Sequence, residues 1–194
     1  MAQQLKIAVL ISGSGSNLQA IIDAIAAGTL HATIQVVISS RPDAYGLTRA
    51  KQAGIPTVAL SHKNYPDAAA FDRALTHELL QSGAEWVVMA GYMRLLTSRV
   101  LDAFPNRVLN LHPALLPAFK GAHAIRDAFE AGVATTGVTV HIANEEYDCG
   151  PILAQREVPI LPDDTLEALE ERIHATEHEL YPQVLVQIAA GRLP

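Results

Sequence analysis

Residues 107–113 read RVLNLHP and run straight into Ala114-Leu115-Leu116-Pro117. This is the pattern of a short apolar strand ending in a Pro-bounded turn. Side chains two apart on a strand leave the same face. Asn110 and His112 therefore emerge together at the strand end, an amide donor beside an imidazole. Acyl transfer uses such a pair, one group to move a proton and the other to stabilise an oxyanion. A plainer use is open to the same residues, a strand-end His hydrogen-bonded to a neighbouring loop.

The elements that would position this pair can be followed along the chain. Leu5 to Ile11 (LKIAVLI) is almost continuously apolar, as in a strand buried on both faces. The loop Ser12-Gly13-Ser14-Gly15-Ser16-Asn17 follows, and then Leu18, Ile21, Ile22 and Ile25 at helical spacing. A strand, a Gly/Ser loop and a helix together aim backbone N–H groups and a helix N-terminus at an anion. The dinucleotide fingerprint is incomplete, because Leu18 stands where its third Gly belongs and the next strand ends Ile38-Ser39-Ser40-Arg41 without an acid. No Gly-Lys-Ser/Thr ending marks a triphosphate loop either. A single phosphate is the anion that fits, with Ser16 and Asn17 adding side-chain donors. The alternative is a tight turn in which Ser16 and Asn17 only cap the helix.

Strand and helix patterns then alternate. Strands are expected at Ile34–Ile38, Thr57–Leu60 and Trp86–Ala90, and helices at Ala44–Ala53 and Ala68–Gln81, the latter with Phe71, Leu75 and Leu79 facing inward. Further strands are expected at Val138–Ile142 and Ile152–Ala154. This spacing implies a doubly wound α/β fold, a mostly parallel sheet with helices on both faces. In such sheets ligands bind just beyond the C-terminal strand ends. Gly91-Tyr92-Met93-Arg94-Leu95-Leu96 lies at one of those ends. Gly91 permits close approach of a flat ligand, and Met93, Leu95 and Leu96 offer an adaptable apolar surface. The same residues could equally complete the core as a strand-to-helix connection, with Arg94 solvated or ion-paired.

The composition narrows the function classes. The 194 residues suit one domain, 1–194, with a sizeable core. A net charge of −6 and no dense run of Lys or Arg argue against a nucleic-acid partner. The single Cys149 excludes an internal disulfide and fits a reducing, cytoplasmic setting. No segment approaches the roughly 20 apolar residues of a membrane span.

Three runs carry a resemblance that covers nearly the whole chain. Asn110-x-His112-Pro113-Ala114-Leu115-Leu116-Pro117, with Gly121 four residues on, resembles the signature of the formyltransferases that use 10-formyltetrahydrofolate. The runs 11–21 (ISGSGSNLQAI) and 91–96 (GYMRLL), with Asp148-x-Gly150-Pro151-Ile152, are similar to the branch that serves purine biosynthesis. The family usually has Ser at the position of Ala114 and often Pro at that of Lys120. The resemblance implies a Rossmann-like formyltransferase fold and transfer of the formyl group of 10-formyltetrahydrofolate, a co-substrate, to the amine of glycinamide ribonucleotide. No metal is implied, and a monomer or a homodimer is left open.

The resemblance also implies site residues. Gly15, Ser16 and Asn17 would hold the ribose 5-phosphate. Met93, Arg94, Leu95 and Leu96 would border the folate pocket together with Asn110, with the loop 144–148 on its other side. Asp148 would sit against His112, favouring the imidazolium and fixing the ring. Ala68 stands where some relatives have a basic residue, which leaves Lys63 as the candidate for the folate's glutamate tail.

The C-terminal pattern adds a further candidate. Asp164 is placed to cap a helix with Glu167 three residues later. Leu166, Leu169, Ile173, Glu177, Leu180 and Val184 then advance in steps of three or four. Glu177 thus falls on the apolar stripe or at its rim, and the resemblance implies that it contacts the glycinamide end of the substrate. His174 and His178 are expected at the surface or behind the site, and His31, His62 and His77 at the surface. His123 and His141 have no partner that the sequence names.

Two other formyl-folate enzymes fit less well. A formyltetrahydrofolate hydrolase would carry an N-terminal regulatory domain, and a methionyl-tRNA formyltransferase a basic nucleic-acid domain. A non-catalytic phosphate- or folate-binding protein would not need the Asn110, His112 and Asp148 set.

Overall fold

The computed structural model describes residues 4–193. Thirteen elements organise them: β1 (Leu5–Ile11), α1 (Ser16–Ala26), β2 (Ala32–Ser39), α2 (Tyr45–Gln52), β3 (Thr57–Ala59), α3 (Ala68–Gln81), β4 (Trp86–Met89), α4 (Ser98–Ala103), β5 (Val108–His112), α5 (Ala124–Glu130), β6 (Thr135–Ile142), β7 (Ile152–Pro159) and α6 (Leu166–Ala189). The strands form one sheet in the order β3-β2-β1-β4-β5-β6-β7. The first five are mutually parallel, whereas β6 runs antiparallel to β5 and β7 antiparallel to β6. The doubly wound, mostly parallel sheet expected from the alternation is therefore observed.

Strand parity sorts the core into two layers. Ile7, Val9 and Ile11 of β1 and Val88 of β4 pack against Leu18 and Ile21 of α1, Leu47 of α2 and the apolar stripe of α6. Their neighbours Ala8, Leu10, Val87 and Met89 face Phe71, Leu75 and Leu79 of α3 and Val100 of α4. Period-2 alternation in strands apolar on both faces lets one run of sequence serve both layers.

Chain order reverses between β1 and β4, which opens a crevice at the C-terminal ends of those strands. The Tyr181 hydroxyl of α6 braces the parallel strands beside it. It is buried and shares its donation between the Met89 carbonyl at 3.1 Å and the Leu109 carbonyl at 3.2 Å. Burial, foremost, pushes the phenol well above its ordinary pKa, so it stays a donor.

Two local expectations shift. Thr165, not Asp164, caps α6, accepting from the Ala168 N–H at 3.2 Å. Asp164 instead makes a bidentate pair with Arg172, 2.7 Å on each arm, and accepts from the Leu161 N–H. Both residues suit a cap, and the guanidinium eight residues on draws the carboxylate away. The strands β6 and β7 are also longer than the apolar runs suggest, because Thr135 and Thr136 pair with Pro159 and Val158.

Candidate active site

Three loops meet at the crevice: 12–17 after β1, 91–97 after β4, and the turn that begins at Pro113 after β5. Ser12 joins the first two. Its buried Oγ accepts from the Met93 N–H at 2.9 Å and lies 2.7 Å from the Ser40 Oγ.

Asn110 and His112 leave β5 on one face and reach the same cleft. The loop after β6 brings Asp148 to them. Asp148 Oδ2 lies 3.3 Å from His112 Nδ1, and its Oδ1 lies 3.4 Å from the Asn110 amide nitrogen. Asp148 holds this place from a left-handed backbone, φ 53°, which an Asp tolerates better than most residues. The Gly121 N–H donates to Oδ2 at 3.0 Å and fixes the carboxylate from the opposite loop. Burial pushes the Asp148 carboxyl up, but the His141 ring, the Gly121 N–H and His112 together outweigh it and hold the carboxyl below its usual range. His112 Nε2 meets the Phe119 carbonyl at 2.8 Å, so both ring nitrogens face acceptors.

His141 completes the cluster. Strand register pairs it with Asn110 across β5 and β6. Its Nδ1 lies 3.0 Å from the Ile142 carbonyl, which can only accept, so Nδ1 carries the proton. Its Nε2 lies 3.1 Å from the Asn110 amide nitrogen and 3.6 Å from Asp148 Oδ1.

Two cavities flank the cluster. One is bordered by Met89, Tyr92, Arg94, Leu95 and Leu96 on one side and by residues of the loop 143–148 on the other. The second runs from the Gly/Ser loop past His112 and Gly121 to His174 and Glu177. Asn110 borders both. Met93 belongs to the second cavity, with its side chain 71% exposed, while Leu95 at 56% lies on the rim of the first. Arg94 is not an ordinary solvated cation. Its guanidinium lies 4.9 Å from the Phe71 ring centroid, and its buried Nε has no partner among the described residues. Lys63 is exposed and borders neither cavity.

At the Gly/Ser loop, Gly15 takes a left-handed φ of 72° and opens α1. The amide nitrogen of Asn17 donates to Glu177 Oε2 at 3.0 Å, and His174 Nδ1 reaches the same oxygen at 2.9 Å. Glu177 is buried rather than at the rim, and these two groups offset its burial. The hydrogen bond to Glu177 raises the His174 pKa above its ordinary value, against the opposing effect of burial.

Residues 5–185 match the family described as formyl transferase. The chain belongs to the formyl transferase family. It is 45% identical to the phosphoribosylglycinamide formyltransferase of Haemophilus influenzae over 97% of this chain and 89% of the relative. The crystal structure of glycinamide ribonucleotide transformylase 1 from Symbiobacterium toebii superposes with a TM-score of 0.95 at 49% identity, covering 97% of this chain and 89% of that one. The match extends to the trifunctional purine biosynthetic protein adenosine-3 of Drosophila pseudoobscura, 45% identical over 97% of this chain, which spans 14% of that longer protein.

In this formyl transferase the structure brings Asn110, His112 and Asp148 together, and it places Glu177 beside Asn17. Asn17 differs in one respect from the sequence expectation, since its amide nitrogen is committed to Glu177 and its Oδ1 is buried without a partner among the described residues. His141 and Ser12 are the residues that sequence reasoning left without a role here. His31, His62 and His77 are exposed, as expected. No helix among the described residues is long and apolar enough to cross a membrane.

Proposed function

We propose that this formyl transferase moves the formyl group of 10-formyltetrahydrofolate to the amine of glycinamide ribonucleotide, giving formylglycinamide ribonucleotide and tetrahydrofolate in purine biosynthesis, in the cytoplasm. One observation carries the assignment: Asn110 borders both cavities and stands beside the His112–Asp148 pair. A formyl carbon presented from one cavity and an amine presented from the other would meet at that residue.

The roles follow from the chemistry. The folate occupies the cavity of Arg94, Leu95 and Leu96, with Met93 at the junction through its backbone bond to Ser12. The ribonucleotide phosphate lies on Gly15, Ser16 and Asn17, and Glu177 faces the glycinamide end. The amine attacks the formyl carbon and a tetrahedral intermediate forms. Asn110 and the His112 imidazolium donate to its oxygen, where negative charge develops. To do so, His112 Nε2 exchanges the Phe119 carbonyl for the reacting atoms. The amine loses one proton and the departing folate nitrogen gains one, with His112 carrying it. Asp148 orients the ring and stabilises the charge it carries during transfer.

The test is to follow loss of the formyl group from 10-formyltetrahydrofolate with and without glycinamide ribonucleotide. Transfer requires loss only when the amine is present. Equal loss in both would make the chain a hydrolase, and no loss in either would make it a binding protein.

A further inference from the structure

We infer that Arg49 is a positioning residue that builds the phosphate site from behind, by holding the carbonyls of the Gly/Ser loop away from the ligand. The inference rests on the assignment of Gly15, Ser16 and Asn17 to the substrate phosphate. Arg49 lies on α2 and borders neither cavity of the site.

The loop is pinned to α2 at two successive peptides. The Gly46 N–H donates to the Gly13 carbonyl at 3.1 Å, and Arg49 Nε donates to the Ser14 carbonyl at 2.9 Å. A trans peptide is planar, with its C=O and the following N–H pointing opposite ways. Anchoring the Gly13 and Ser14 carbonyls toward α2 therefore turns the N–H groups of Ser14 and Gly15 the other way. Neither N–H donates to another described group. Consecutive N–H groups released on one side of a loop, at the start of a helix, form an anion nest.

The close packing that permits this depends on two glycines. A Cβ on Gly15 would lie 2.6 Å from the Gly46 Cα, and a Cβ on Gly46 would lie 3.2 Å from the Gly15 Cα. Arg49 is fixed in turn. Its Nη1 donates to Gln19 Oε1 at 3.2 Å, on the first turns of α1, and its Cζ stacks 4.9 Å from the Tyr45 ring centroid. One planar guanidinium thus ties α2, the loop and α1 into a single orientation. A lysine, with one point charge on a flexible stem, cannot reproduce that fork.

The test titrates inorganic phosphate into wild type, Arg49→Gln and Arg49→Lys, following the Gly15 and Ser14 amide signals by NMR, so that it reads the nest without turnover. Phosphate should shift both amides in wild type, and both variants should weaken binding about tenfold or more. Kinetics supply the second arm: KM for glycinamide ribonucleotide should rise similarly in both variants, with kcat and the folate KM unchanged. Turnover of glycinamide riboside, which lacks the phosphate, should not change. Wild-type affinity in Arg49→Lys would overturn the inference, because charge alone would then suffice. Equal losses on ribonucleotide and riboside would overturn it too, by showing a general structural role. Phosphate binding at these amides in a wild type that transfers no formyl group would contradict the proposed reaction while leaving the nest intact.

Discussion

Asp148 and His112 face each other across 3.3 Å with their side chains 2% and 4% exposed, and the carboxylate is aimed by a left-handed backbone and by the Gly121 N–H. A charge so placed is costly to bury unless it serves a partner. Replacing it by an amide in Asp148→Asn keeps the shape and removes the charge. The expected result is a fall in kcat on the order of 10² or more, with KM values little changed. Steady-state kinetics check this, and a variant with wild-type kcat would remove Asp148 from the account.

The same carboxyl sets an acid limit on stability. Its pKa is lower in the folded protein than in the unfolded chain, so its contribution is present above the ordinary carboxylate range and is lost as pH falls through the lowered value. Denaturant titrations from neutral pH to below about 4 should show stability declining, and Asp148→Asn should flatten part of that decline.

The Asn110 amide nitrogen lies 3.1 Å from His141 Nε2 and 3.4 Å from Asp148 Oδ1, and in the proposed mechanism it donates to the oxyanion. Loss of one oxyanion donor costs on the order of 10²–10³ in rate in a comparable setting. Asn110→Ala should lose at least that in kcat while still folding and unfolding cooperatively, which steady-state kinetics and denaturant titration check.

Glu177 accepts from Asn17 and His174 on one oxygen. In Glu177→Gln the His174 titration should move back toward the ordinary His value, measured by NMR. The raised value stabilises the fold below the unfolded His pKa, near 6.5, and is lost as pH rises through the folded one. KM for glycinamide ribonucleotide should rise in the variant. An unmoved His174 titration would break the pairing.

Much of this architecture is legible in the sequence, and what is missed has a common cause. Runs such as Leu5–Ile11 and Trp86–Met89 are apolar on both faces and announce buried strands, while Leu169, Ile173 and Leu180 announce the inner face of α6. Asn110 and His112 are visible together because their relation is local, two residues along one strand. His141 is not, because its place beside Asn110 depends on the register between β5 and β6, 31 residues apart. Gly46 looks like any residue of a short helix until Gly15 packs against it. Asp164 and Thr165 both satisfy the capping rule, and only the folded position of Arg172 separates them.

Ser12 is also silent in sequence, as one serine among three. Its Oγ takes the Met93 N–H and meets Ser40, joining the loops after β1 and β4. Ser12→Ala should cost about 1 kcal/mol in denaturant unfolding. It should also raise the KM for formyl folate more than it lowers kcat. Wild-type stability and KM together would show the link to be idle.

His112, held by Asp148, is proposed to donate to the oxygen of the tetrahedral intermediate and to carry the proton to the departing folate nitrogen. Single-turnover transfer with both substrates saturating tests it most directly, in wild type and in His112→Ala. A loss on the order of 10² or more in the rate of the chemical step is expected, with both substrates still bound and the fold intact. A variant that transfers the formyl group at the wild-type rate would contradict it.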